Sequence, residues 1–247
     1  MVETYLTFIV FIFGILIGSF LNVVIYRIPK GESIVFPASK CQSCQTPLKW
    51  YHNIPIFSWL FLRGKCGFCS EKISKQYPLI ELATGLIAVA VFYKLGLTWH
   101  MPIVFAVFAL LLALVMIDFK EMEIPDNLNL LALALAIISP TVLTSLHDAI
   151  LAAGGVTLLR YYVSFFINKE AMGEGDIIVA GTMGALLGFP SFFYALFLAA
   201  VLALVPSLLA KDTDTAVPFV PFLAMGTFIV YIFNTQVESV VSFIIYG

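Results

Sequence analysis

Apolar runs of transmembrane length recur from one end of the chain to the other, separated by short polar breaks. A helix needs ~20 residues to cross the hydrocarbon of a bilayer, and by that length the pattern predicts about eight spans. Their limits are 4–26, 78–94, 102–118, 127–144, 148–167, 176–190, 191–210 and 219–234. The sixth is short, and its boundary with the seventh rests only on Gly188-Phe189-Pro190-Ser191. Residues 236–247 either extend the last helix or lie on the membrane surface. The first run has no basic segment before it and no small-residue cleavage pattern after it, so it is expected to stay as a helix rather than leave as a signal peptide. The expected fold is an all-α polytopic membrane protein with one polar loop of about 50 residues after the first helix. No soluble domain of ordinary size and no repeat is visible.

Composition agrees: 61% of the 247 residues are hydrophobic and only 11% charged, far from a soluble protein. A net charge of −2, with no block of like charge, gives no case for a nucleic-acid partner. The basic residues set the orientation. Eight of the 13 Lys and Arg fall in the first loop (Arg27, Lys30, Lys40, Lys49, Arg63, Lys65, Lys72 and Lys75), which marks it as cytoplasmic and puts the N-terminus outside. Alternation then places Lys120, Lys169 and Lys211 on the cytoplasmic side too, and only Lys94 on the wrong one.

That loop also holds all four cysteines, as Cys41-Gln42-Ser43-Cys44 and Cys66-Gly67-Phe68-Cys69, with 21 residues between the pairs. Paired C-x2-C knuckles suit tetrahedral Zn²⁺ held by four thiolates. A loop of this length buries little core, so metal binding would supply folding energy that apolar residues cannot. Four thiolates leave no open position for water, so the zinc is read as structural. Disulfides do not fit a cytoplasmic loop. A redox role for one pair, or His52 as a substitute ligand, are the other readings of these residues.

Charge beside a bilayer is costly and usually kept for a task. Asp118, in Ile117-Asp118-Phe119-Lys120, ends the third predicted span; Asp176, in Gly173-Glu174-Gly175-Asp176, begins the sixth. Both fall at the same border. Two carboxylates sharing a site do not readily both ionise, so one can take a proton from water while the other polarises a scissile carbonyl. Gly173 and Gly175, lacking a Cβ, would let a substrate strand approach. Each acid also has a plainer reading: Asp176 as a helix cap, Asp118 as a solvated juxtamembrane charge. Asp126 reads first as a cap, and Glu121, Glu123, Glu170 and Glu174 as loop charges. Arg160 either meets a partner about two turns inside its span or snorkels to the border. Glu81 is either a binding residue or an interfacial charge.

The stretch Gly18-Ser19-Phe20-Leu21-Asn22 through Arg27-Ile28-Pro29 resembles the end of the first helix in bacterial type IV prepilin peptidases. So do Cys41-x2-Cys44, Leu48-Lys49-Trp50-Tyr51-His52-Asn53-Ile54-Pro55, Arg63-Gly64-Lys65-Cys66-x2-Cys69 and Ile73-Ser74-x-Gln76-Tyr77-Pro78-x-Ile80-Glu81. Asp118 through Ile124-Pro125-Asp126, and Gly173-Glu174-Gly175-Asp176, are similar to that family's two aspartate motifs. The resemblance implies an inner-membrane aspartyl protease of the GxGD type with Asp118 and Asp176 catalytic. It implies removal of the basic leader of prepilins and pseudopilins, and N-methylation of the new terminus with S-adenosylmethionine. Family members often carry a Lys two residues after the second aspartate; here that position is Ile178.

The domains so read are the first helix (1–26), a four-cysteine loop domain with a role in methyl transfer (27–77), and a transmembrane protease domain (78–247). Expected partners are prepilin substrates and membrane lipid, with self-association left open. A reading from another class is a membrane scaffold or transporter that uses the zinc loop for docking and the aspartates for ion passage. Against it, both acids lie at one border, whereas transporter sites usually lie near the midplane.

Overall fold

The computed structural model describes residues 2–138, 141–168, 172–209 and 218–247; Lys169, Glu170 and Lys211 lie outside the described residues. Ten α-helices follow one another among them: α1 (Val2–Arg27), a five-residue α2 (Phe57–Phe61), α3 (Gln76–Leu95), α4 (His100–Glu121), α5 (Asp126–Ile137), α6 (Val142–Ile167), α7 (Glu174–Leu187), α8 (Ser191–Leu209), α9 (Val220–Ile232) and α10 (Asn234–Tyr246). The described residues hold no strand, only two isolated bridges in the loop. The protein is an all-α, multi-pass membrane protein.

Five helices (α1, α3, α4, α6 and α8) are long and apolar enough to span, and a sixth span results if α9 and α10, bent by 93°, are counted together. The expected eight is not reached on this measure. At 1.5 Å per residue α5 and α7 are only about 18 and 21 Å long, short of a ~30 Å hydrocarbon core. The fourth and fifth predicted spans are also misdivided. α5 stops at Ile137 and α6 begins at Val142, so residues 142–144 belong to the later helix. The sequence carries a signal that the apolar pattern hides: Pro140 falls between the two helices, and a proline disfavours helix at the residue before it.

The chain forms two compact units, Met1–Thr98 and Trp99–Gly247. In the first, α1 lies along α3 with their backbones nearly touching. A Cβ on Gly14 would come 2.8 Å from the Gly85 Cα, and one on Gly18 would come 2.7 Å from the Glu81 Cα. Small residues give membrane helices this approach where water supplies no hydrophobic force between them. Buried Asn22 reinforces it, its Nδ2 donating to the Gly18 and Tyr77 carbonyls at 3.2 Å. Arg27, at the end of α1, then donates to the Ser33 and Pro37 carbonyls at 2.9 and 2.8 Å and sets the start of the loop.

In the second unit, α7 is packed by α5, α6 and α9, and its buried face mixes small residues, Ala180, Gly181, Gly184 and Ala185, with Val179 and Met183. A Cβ on Gly184 would lie 2.5 Å from the Asp148 carbonyl oxygen of α6, and one on Gly226 of α9 would lie 2.6 Å from the Ala195 oxygen of α8. α4 supplies the large side chains of this core, including Leu114 and Ile117.

Candidate functional site

The four cysteines meet. Their Sγ atoms all lie within 4.8 Å of one another, with Cys41 and Cys69 3.9 Å apart. Sulfurs at ~2.3 Å from a tetrahedral Zn²⁺ stand ~3.8 Å from each other, so the donor set and spacing fit that ion. Each knuckle is built the same way. In the first, the Gln45 amide donates to the Cys41 carbonyl and the Cys41 amide to Thr46 O; in the second, Ser70 donates to Cys66 O and Cys66 to Glu71 O. Gln45 and Ser70 both take positive φ, 57° and 61°, to close the turn. The thiols do not ionise alike. Hydrogen bonds from the Thr46 hydroxyl and amide draw Cys44 down to about 6. Cys69 is pushed up to about 12: its Glu71 backbone hydrogen bond favours the thiolate, but desolvation and the neighbouring sulfurs outweigh it. Sulfurs this close need a cation before all four can be thiolates. His52 is not among them; its ring packs edge-on against Tyr51 and Phe68 at 4.5 and 5.1 Å.

The two aspartates also come together, within the second unit. Asp118 sits in the last turn of α4 and Asp176 in the first turn of α7; both are only 6% exposed, and the charge of Asp118 acts at Asp176. Burial removes the reading of Asp118 as a solvated charge. Each carboxylate is fixed by a helix start. Asp118 accepts a hydrogen bond from the Val220 amide, the first residue of α9, while its Oδ2 is buried with no protein partner. Asp176 reaches back to accept from the Gly173 amide at 3.0 Å, the N3-to-N-cap half of a capping box. Helix N-termini carry partial positive charge, so both acids face a favourable end. Arg160 has a partner: it reaches Glu174 at 3.8 Å and adds its charge at Asp176. Asp126 stands apart as the exposed first residue of α5.

Gly175 does a different job from the one expected. A Cβ on Gly175 would lie 2.6 Å from the Ile124 Cδ1 and 2.8 Å from its Cβ, so the missing side chain admits Ile124, not a substrate strand. This contact clamps the segment after Asp118 onto the turn before Asp176. Asn129, unremarked in the sequence, completes the clamp. Fully buried on α5, it donates from Nδ2 to the Gly175 carbonyl at 2.9 Å. An Asn three residues into an apolar helix is the signal that was available, since a buried amide needs partners. Val220 left no such signal, because only its backbone is used.

Glu81 belongs to the first unit. It is buried at 6% exposure and accepts from the Ile56 amide at 2.6 Å, with Ser19 of α1 also bonded to it. It therefore ties the loop to the α1–α3 pair.

Residues 12–95 match the Bacterial Peptidase A24 N-terminal domain, and residues 103–208 match the Type IV leader peptidase family. Among curated proteins, a prepilin leader peptidase/N-methyltransferase of Stutzerimonas stutzeri is 34% identical, covering 92% of this chain and 91% of its own. Proteins of the same name from Aeromonas hydrophila and Neisseria gonorrhoeae are each 32% identical, covering 93% and 94% of the chain and 91% and 92% of theirs. No solved structure matches the chain. With similarity of this extent over both compact units, the chain belongs to the type IV leader peptidase family.

Proposed function

We propose that this protein is a membrane-embedded aspartyl endopeptidase that removes the leader of type IV prepilins and pseudopilins and methylates the new N-terminus. The observation that carries the reading is the pair of buried carboxylates, Asp118 and Asp176, delivered by a helix end and a helix start to one electrostatically coupled site. In the proposed mechanism one carboxylate is ionised and takes a proton from water, whose oxygen adds to the scissile carbonyl carbon. The other, protonated, donates to the carbonyl oxygen; the C–N bond then breaks as a proton passes to the departing amine. The Val220 and Gly173 amides hold the two groups in orientation, and Arg160 offsets the negative charge they gather.

The concentration of Lys and Arg in the first loop supports a cytoplasmic active face with the N-terminus outside, in the bacterial inner membrane. A substrate with a basic leader, a glycine before the cut and then an apolar helix would present its scissile bond at that border. Cys41, Cys44, Cys66 and Cys69 would hold a structural Zn²⁺ that fixes the fold of residues 27–77. S-adenosylmethionine is the methyl donor the family resemblance implies.

The test is cleavage of a prepilin with a basic, glycine-ended leader in membranes containing the wild type, Asp118→Asn or Asp176→Asn at equal expression. Cleavage by wild type and loss in both variants is expected. Cleavage surviving either change removes that residue from the mechanism.

A further inference from the structure

The first loop carries a bare apolar surface that the active-site reading does not use. Trp50, Phe57, Leu60 and Phe61 are 79, 51, 57 and 83% exposed. In an ordinary cytoplasmic loop such side chains would be an aggregation hazard. Their depth says otherwise. The amide of Ile56, the residue just before α2, donates to Glu81 at 2.6 Å. Glu81 lies five residues into α3, about 7 Å along its axis. All 20 residues of α3 form its candidate span. A helix of that size is ~30 Å long, about the hydrocarbon thickness. α2 is therefore tied to the second turn of α3, inside its candidate span.

Its backbone suits that place. The amides of Ser58, Leu60, Leu62, Arg63 and Gly64 donate to carbonyls inside the segment at 2.8–3.1 Å. A polypeptide entering lipid must satisfy its own amides in this way. Between α2 and the turn at 50–53 lies a cleft of ≈ 300 Å³ lined by Tyr51, His52, Ile54, Phe57, Ser58, Phe61 and Leu62, almost wholly apolar in surface. The flanking residues are Lys49 and Arg63, the chemistry that meets anionic headgroups.

We propose that residues 50–62 form a wedge that inserts into the cytoplasmic leaflet beside α1 and α3, with α2 and Trp50 in the acyl region and the basic residues at the headgroups. The occupant of the exposed face is anionic phospholipid. The wedge holds the zinc knuckles against the membrane border. This inference rests on the proposed orientation of the first loop and is independent of the catalytic aspartates.

The test uses the purified full-length chain in vesicles of phosphatidylethanolamine and phosphatidylglycerol containing a phospholipid with a photoactivatable acyl chain. After irradiation, trypsin at Lys49 and Arg63 releases residues 50–63, and at Lys40 and Lys49 releases 41–49, which contain the first knuckle. Several-fold more lipid label on 50–63 than on 41–49, approaching that on peptides of α3, is expected. Leu60→Gln with Phe61→Gln should bring the label down toward the knuckle level while zinc content, the check on folding, stays unchanged. Equal labelling of 50–63 and 41–49 in wild type would overturn the proposal. So would label undiminished in a zinc-loaded double variant. Crosslinking of position 61 to a prepilin, without lipid label, would assign the face to substrate instead and overturn it equally.

Discussion

Asp118 and Asp176 are poor places for charge and good places for catalysis: buried, close, and each held by one backbone amide. Replacing either with Asn keeps the shape and removes the acid–base group, so prepilin cleavage should fall by ~10²–10⁴-fold per residue. Zinc content should not change. Asn129→Leu is a sharper probe of the clamp. It fills about the same volume but removes the side-chain hydrogen bond to the Gly175 carbonyl, at a cost of ~0.5–1.5 kcal/mol in stability. Thermal unfolding of the variant should show that loss, and kcat should drop with it as the Asp176 turn drifts. Gly175→Ala should displace the same turn. Because the clash includes the Ile124 Cβ at 2.8 Å, Ile124→Val should fail to rescue it. Restored cleavage in that pair would mean that the close approach is not what glycine is there for.

At the level of elements, the two knuckles and the short helices behave differently as readable objects. The knuckles were legible because C-x2-C fixes its own turn: two sulfurs, one positive-φ residue and one returning amide, all local. Chelation should therefore open residues 27–77 to protease, and Cys66→Ser, which removes the most buried ligand, should do so without chelator. Acid acts in the same direction, because each proton competes with the metal for a thiolate; lowering the pH should release zinc and raising it should restore it. Helices α5 and α7 were not readable as they are. α5 is apolar enough to be taken for part of a span but stops at Ile137, and α7 stops at Leu187, just before Gly188 and Pro190. Asp118 and Asp176 stood out because carboxylates are scarce here. Their partners Val220 and Ile124 did not, since a backbone amide and an ordinary isoleucine look the same wherever they fall.

Over the whole molecule, the division into Met1–Thr98 and Trp99–Gly247 follows the two matched family regions, 12–95 and 103–208. Both proposed catalytic acids and their supports lie in the second unit, and the zinc site and Glu81 in the first. Cutting the chain within Gly96–Thr98 and co-expressing the halves should give two stable membrane products, the first loaded with zinc. If either half is degraded even in the presence of the other, the units do not fold as separate bodies.

The Val220 amide on Asp118 has a consequence for how such a chain tolerates change in length. The segment between α8 and α9 can gain or lose residues only if the count from Val220 onward is preserved, because its amide, not its side chain, is what the acid requires. Insertions before Pro218 should be accepted. A single residue inserted after Val220 would leave this tether in place but rotate the rest of α9 by about 100°, turning its packed face, Gly226 included, away from α8. Natural and designed variants should therefore scatter in length on one side of this residue and hold to a fixed spacing on the other.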